Sequence, residues 1–158
     1  MYKKVLILIF SLFTSLSAGW IGALFTMSQI PTWYAEIEKP FFNPPNWVFG
    51  PVWTILYILM GVSLYLILTT HTDKKAKKKA IIFFVLQLVL NTFWSIIFFG
   101  LHAVGVAFLE ILVLWWSILA TILYTRRINK NGAYLLFPYL AWVSFAALLN
   151  LSIYILNS

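Results

Sequence analysis

Five long apolar runs carry most of the hydrophobic side chains: approximately Val5 to Met27, Trp47 to Thr70, Ala80 to Phe99, Val104 to Tyr124 and Tyr134 to Leu156. Each has roughly the 20 residues that a helix needs to cross the hydrocarbon core of a bilayer. The pattern predicts an all-α integral membrane protein, a single bundle of five transmembrane helices over residues 1–158 with a structured extracellular loop at about 30–46. The other connections are too short to build a second domain. That loop holds Pro31, Pro40, Pro44 and Pro45, which stiffen it and confine regular helix to about Thr32 to Glu38. Its aromatic residues Trp33, Tyr34, Phe41 and Phe42, with Trp47 beside it, could rest in the interface as a belt or close the mouth of a cavity. Asn46 is a candidate cap for the second helix, whose opening turn Pro51 should loosen, and Asn131-Gly132 is a turn signal before the fifth.

Composition agrees with this reading: 63% of residues are hydrophobic and 9% charged, too few to cover such a core with a solvated surface. Charge adds orientation. Ten of the eleven Lys and Arg residues lie on alternate segments: Lys3 and Lys4, then Lys74, Lys75, Lys77, Lys78 and Lys79, then Arg126, Arg127 and Lys130; Lys39 alone lies on the other set. The asymmetry places the N terminus in the cytoplasm and the C terminus outside, for a multi-pass protein of the cell membrane. The lysine cluster lacks aromatic interleaving and a soluble domain to present it, so lipid headgroups, rather than nucleic acid, are its expected partner. The first run also has a signal-like start and small residues at Ser15 to Ala18. It continues to Met27, beyond the ~7–15 residues of a signal core, so a retained helix is expected.

Helical spacing gathers isolated polar residues into faces. Gln87, Asn91, Trp94, Ser95 and Phe98 share one side of the third helix; Trp142, Ala146, Asn150 and Tyr154 share one side of the fifth; Trp53, Tyr57, Gly61 and Tyr65 form a stripe on the second. Amides facing lipid would be unsatisfied, so Gln87, Asn91 and Asn150 should point inward, either fastening helices or lining an aromatic cavity. Ala18, Gly19, Gly22 and Ala23 allow close helix contact, within one bundle or between two protomers. Glu110 is the only acid within a crossing; local snorkelling or hydrogen bonding is the expectation for it, and a substrate or proton role the sharper alternative. His71 and His102 lie in connections on opposite sides of the membrane and cannot share a metal. With zero cysteines there are no disulfides or thiolate ligands. No nucleotide-binding loop, catalytic triad, carboxylate pair or metal motif is present.

The residues Trp33-Tyr34, Lys39-Pro40, Pro44-Pro45, Trp47 to Thr54, Leu56-Tyr57 and Met60-Gly61 resemble the tryptophan-rich sensory protein family, also called the translocator protein or peripheral benzodiazepine receptor family. Gln87-Leu88, Asn91, Trp94, Phe98 to Gly100, Trp115, Pro138-Tyr139, Trp142 and Leu149-Asn150 extend the match over nearly the whole chain. The resemblance implies a five-helix bundle, commonly a homodimer, with a cavity under the first loop for porphyrins and related tetrapyrroles. Carried over residue by residue, the cavity set is Trp33, Trp47, Phe49, Trp53, Tyr57, Asn91, Trp94, Trp142 and Ala146, with Asn150 deeper. No cofactor is required; a porphyrin would be ligand or substrate of a receptor or sensor. The alternatives are light- and oxygen-dependent porphyrin degradation, with Trp33 and Trp142 as the photochemical residues, and transport of hydrophobic ligands. Tyr154 is followed by Ile155, Leu156, Asn157 and Ser158, without the cation of the animal sterol motif, which argues against cholesterol. The orientation is directly testable: in this cysteine-free chain, Lys75→Cys should react with an impermeant thiol reagent only once the membrane is opened.

Overall fold

The computed structural model describes residues 2–158. Its elements are α1 (Tyr2–Thr26), the short α2 (Trp33–Glu36), α3 (Asn46–Thr69), α4 (Lys74–Ser95) running into a π turn (Ile96–Gly100), α5 (Val104–Arg126), the short α6 (Lys130–Tyr134) and α7 (Phe137–Leu156). Among the described residues five segments are long and apolar enough to cross a membrane, the fifth being α6 and α7 together. Their outer faces stay apolar, as at Leu24, Leu109 and Trp116, which suits lipid rather than water. The protein is a multi-pass membrane protein.

The ends of the helices follow from local chemistry. Asp73 caps α4, accepting from the Ala76 amide at 3.0 Å, which offsets the lysines crowded against the positive end of that helix. Lys77 Nζ donates to the Leu68 carbonyl at 3.0 Å and so satisfies an exposed end of α3. Asn46 is not a cap: Pro45 takes that position, no side chain bonds the first turn, and α3 runs on through Pro51. The Asn131-Gly132 pair is not the turn before the fifth helix but part of α6, capped by the Asn129 side chain. The break falls at Leu135 and Leu136, just ahead of Pro138, which occupies the first turn of α7 where its missing N–H costs nothing.

α1 packs on α3 and α4, α4 on α5, and α5 on α7, while α6 bridges α5 and α3. Met60, Ile67, Phe84, Ile118, Tyr139 and Val143 form the fully buried core. The small residues of α1 are used within the bundle. A Cβ on Gly19 would lie 2.3 Å from the Tyr57 ring, and one on Gly61 would lie 2.9 Å from the Leu12 backbone. Hydrogen therefore stands where any side chain would push α1 and α3 apart. Gly61→Ala should cost about 1–3 kcal/mol through overpacking and lower the thermal unfolding midpoint in nanodiscs. Gly50→Ala, whose added Cβ has nothing within 4 Å, should leave it unchanged or raise it slightly.

Candidate functional site

A cavity of about 430 Å³ lies between α1, α3, α4 with its π turn, and α7, beneath the first loop. That is within the usual size of a small-molecule site. Trp47, Phe49, Trp53, Tyr57, Asn91, Trp94, Trp142, Ala146 and Asn150 all contribute to its lining. Gly19, Gly22 and Ala23 also line it, whereas Ala18 is buried one position away. No residue of α5 reaches it.

The walls are aromatic and mutually braced. Trp53 stacks on Tyr57 at 5.5 Å between ring centroids, Trp94 on Phe98 at 5.0 Å, and Phe49 meets the Trp142 ring edge-on at 6.0 Å. Polar groups are few and specific. Tyr57 donates its hydroxyl to Asn91 Oδ1, and Asn91 Nδ2 donates to the Tyr139 oxygen at 3.2 Å, joining α3, α4 and α7. Higher up, Trp94 Nε1 donates to Asn150 Oδ1 at 3.0 Å, and Asn150 Nδ2 donates to the Val104 carbonyl at 2.9 Å. Gln87 is buried as its position on the polar face implies, yet neither end of its amide has a partner among the described residues. Glu110 neither snorkels nor hydrogen-bonds among the described residues: both carboxyl oxygens are buried without a partner there.

The π turn explains how the top of α4 serves the site. Leu101 N donates to Ile96 O at 2.9 Å, the wider hydrogen-bond step of a π helix, and the neighbouring Phe98 and Phe99 both turn inward. Against them sit the residues of α2. Tyr34 lines the cavity and is 3% exposed; Trp33 does not line it but meets Phe98 edge-on at 5.6 Å and stacks on His102 at 4.2 Å. Phe41 is fully exposed, so the loop's aromatic residues divide between covering the mouth and facing outward.

Three sets of polar contacts hold this cover. Tyr34 donates its hydroxyl to Asn43 Oδ1 at 2.8 Å, and Lys39 Nζ donates to the carbonyls of Tyr34 and Ile37 at 2.6 and 2.7 Å. Asn157 and the Glu38 backbone exchange hydrogen bonds at 3.0 and 2.9 Å. His102, in the left-handed region at φ 52°, places Nε2 3.0 Å from Gln29 Oε1. His102 is thus a contact of the cover, a role that its isolation in the sequence did not signal. Tyr139 was equally hidden among apolar neighbours, and only its place beside Pro138 in the family-like motif marked it.

Fold and site together define a polytopic membrane protein built around a covered aromatic cavity. Residues 10–156 match the TspO/MBR family. The chain is 43% identical to the tryptophan-rich protein TspO of Archaeoglobus fulgidus over 155 residues, 98% of this chain and 99% of that one. It is 40% identical to the tryptophan-rich protein TspO of Chlorobaculum tepidum over 99% of both chains. The human translocator protein is 37% identical over 82% of this chain and 78% of its own length. The chain belongs to the TspO/MBR family.

Burial pushes the Tyr34 phenol up to about 12, against the smaller opposing effect of its hydrogen bond to Asn43. The raised value means that the unfolded chain ionises first. Tyr34 therefore contributes stability that is complete below about pH 10 and is lost as pH rises toward about 12. Phenolate absorbance of the folded protein should show a late-titrating tyrosine that Tyr34→Phe removes.

Proposed function

We propose that the protein is a membrane receptor or sensor that takes a porphyrin such as protoporphyrin IX into the covered cavity. The observation that carries this reading is a wall of flat aromatic rings, Trp53, Tyr57, Trp94, Phe98 and Trp142, interrupted by only a few fixed polar groups. Such a wall suits a planar macrocycle, whose apolar faces it can bury while the carboxylates stay near the polar mouth under Tyr34 and Asn46. The relatives named tryptophan-rich sensory protein and translocator protein support a sensory or translocating membrane role. The porphyrin acts as ligand, with no resident cofactor.

The alternation of basic residues supports a cell-membrane orientation with the N terminus cytoplasmic and the cavity mouth outside. A homodimer belongs to the same reading; its contact lies away from Gly19 and Gly22, which face Tyr57 and Ser95 of the same chain. Photo-oxidative degradation is the second reading, favoured by the oxidisable Trp142 in the cavity wall, with Trp33 one layer farther out behind Phe98.

Titration with protoporphyrin IX should quench tryptophan fluorescence saturably, and Trp142→Ala should weaken binding by up to about tenfold, as the loss of one aromatic contact of about 0.5–1.5 kcal/mol implies. Quenching that never saturates, or that an unrelated membrane protein reproduces, would remove the porphyrin reading. Under illumination in air, a defined product that depends on folded protein and falls with Trp142→Ala would assign degradation. Flux through proteoliposomes would assign transport instead.

A further inference from the structure

The end of the bundle opposite the cover gathers every basic residue but Lys39, from the first turn of α1, the start of α4, the end of α5 and α6. Of the four acidic residues only Asp73 shares that end, and its carboxylate accepts from the Ala76 amide. Glu36 and Glu38 belong to the cover and Glu110 to the span of α5. Within this basic field two cations converge on one ring. Lys79 Nζ lies 5.8 Å from the centre of the Tyr124 ring, and the Arg127 guanidinium carbon lies 5.7 Å from the same centre. Phe83, one turn along α4 from Lys79, stacks on Tyr124 at 5.1 Å with the ring planes 12° apart, which fixes the phenol that the cations share. The neighbouring Lys77 is spent differently, donating to the Leu68 carbonyl at 3.0 Å.

A ring face attracts each cation, but it cannot satisfy the several N–H donors of a guanidinium and an ammonium, and it leaves two like charges close together. Arg127 sits at the C-cap of α5, where the negative end of the helix offsets part of its charge; Lys79 has no such partner. The depth of the pair is that of lipid headgroups. Ile82 and Leu123, about a turn nearer the middle of the bundle, are apolar and exposed, a surface that acyl chains cover, while Lys79 and Arg127 are exposed just beyond it. Charge complementarity at that depth calls for an anion that the protein does not itself supply.

We propose that Lys79, Arg127 and Tyr124 form a binding site for the phosphate of an acidic phospholipid headgroup, holding one lipid where α4 and α5 meet. The guanidinium offers paired N–H donors to two phosphate oxygens, the ammonium supplies a compact second charge, and the phenol adds a hydroxyl donor. The acyl chains of that lipid lie along Ile82 and Leu123. A zwitterionic lipid brings its own cation, which the two basic groups repel, so the site selects an anionic headgroup. The site is separate from the cavity and its ligand, and it does not depend on which leaflet faces this end of the bundle.

Native mass spectrometry of the full chain, released from nanodiscs of equimolar phosphatidylglycerol and phosphatidylcholine, reads this selection directly. The wild type should retain phosphatidylglycerol in preference to phosphatidylcholine, and Lys79→Gln combined with Arg127→Gln should lower that preference about tenfold. Lys74→Gln combined with Lys75→Gln removes the same charge from the same end and should leave the preference nearly unchanged. Tyr124→Leu keeps both cations but removes the ring that gathers them, and should weaken the preference. A wild type without preference overturns the site, whether or not the variants fold. Equal losses in the two double variants overturn it as well, since the attraction is then the diffuse field of the whole basic end. An unchanged preference in Tyr124→Leu overturns the convergence on the ring. Excess inorganic phosphate should not displace the retained lipid; displacement would make this a site for a free anion and overturn the assignment to a lipid.

Discussion

The hydrogen-bonded chain of Tyr57, Asn91 and Tyr139 ties three helices together at the wall of the cavity. Lipid tails are as apolar as leucine, so helices in a bilayer gain little by hiding apolar surface from one another. They associate through close packing and through polar groups that lipid cannot satisfy. Below this chain the bundle is solid, with Met60, Ile67, Phe84 and Ile118 fully buried. Above it the helices part around a cavity. An open volume within a close-packed protein forfeits contacts, so the cavity depends on a floor that does not yield.

The same constraint accounts for the glycines of α1. Because Gly19 lies against the Tyr57 ring, the backbone of α1 approaches the ring whose hydroxyl begins the chain, and Gly61 repeats the close approach nearer the core. Packing and polar connection thus converge on Tyr57. The cover obeys a different economy. Outside the apolar core, Lys39 and Asn43 hold the cover by part-buried hydrogen bonds, and Asn157 and His102 by hydrogen bonds exposed to solvent. Water competes for the exposed bonds, so each of those is worth little alone and several are needed. Such a cover can open without disturbing the bundle below.

Much of this architecture was legible in the chain because lipid imposes few solutions. The five apolar runs gave the spans, and the spacing of Asn91 with Trp94, and of Trp142 with Asn150, gave faces that do line a cavity. Contacts between distant segments were not legible. Nothing in Ile96 to Gly100 marks a π turn, which depends on Phe98 and Phe99 packing against Tyr34. The pairing of His102 with Trp33 and Gln29 requires the turn after α4 to meet the loop after α1, a placement set by the whole bundle. The stripe on the fifth helix also broke down at its end, where Tyr154 leaves the cavity face to cover Gly105. Glu110 was visible as an anomaly, but its lack of a partner among the described residues is a fact of packing.

The remaining arrangement concerns how an event in the cavity is felt elsewhere. α5 forms no part of the cavity, yet two polar routes lead from the lining toward it. One runs from Trp94 through Asn150 to the Val104 carbonyl in the first turn of α5; the other runs from Tyr57 through Asn91 to Tyr139 of α7, the helix packed on α5. Both routes begin at side chains that a ligand would touch. A ligand that takes the indole N–H of Trp94 or the hydroxyl of Tyr57 as its own donor must release Asn150 or Asn91 from a bond that it now accepts. Buried amides do not tolerate a lost partner cheaply. The compensating shift therefore has to occur in α5 and α7, the two helices on the far side of those amides, so the hydrogen bonds that keep the cavity open are also those through which its occupancy would be communicated.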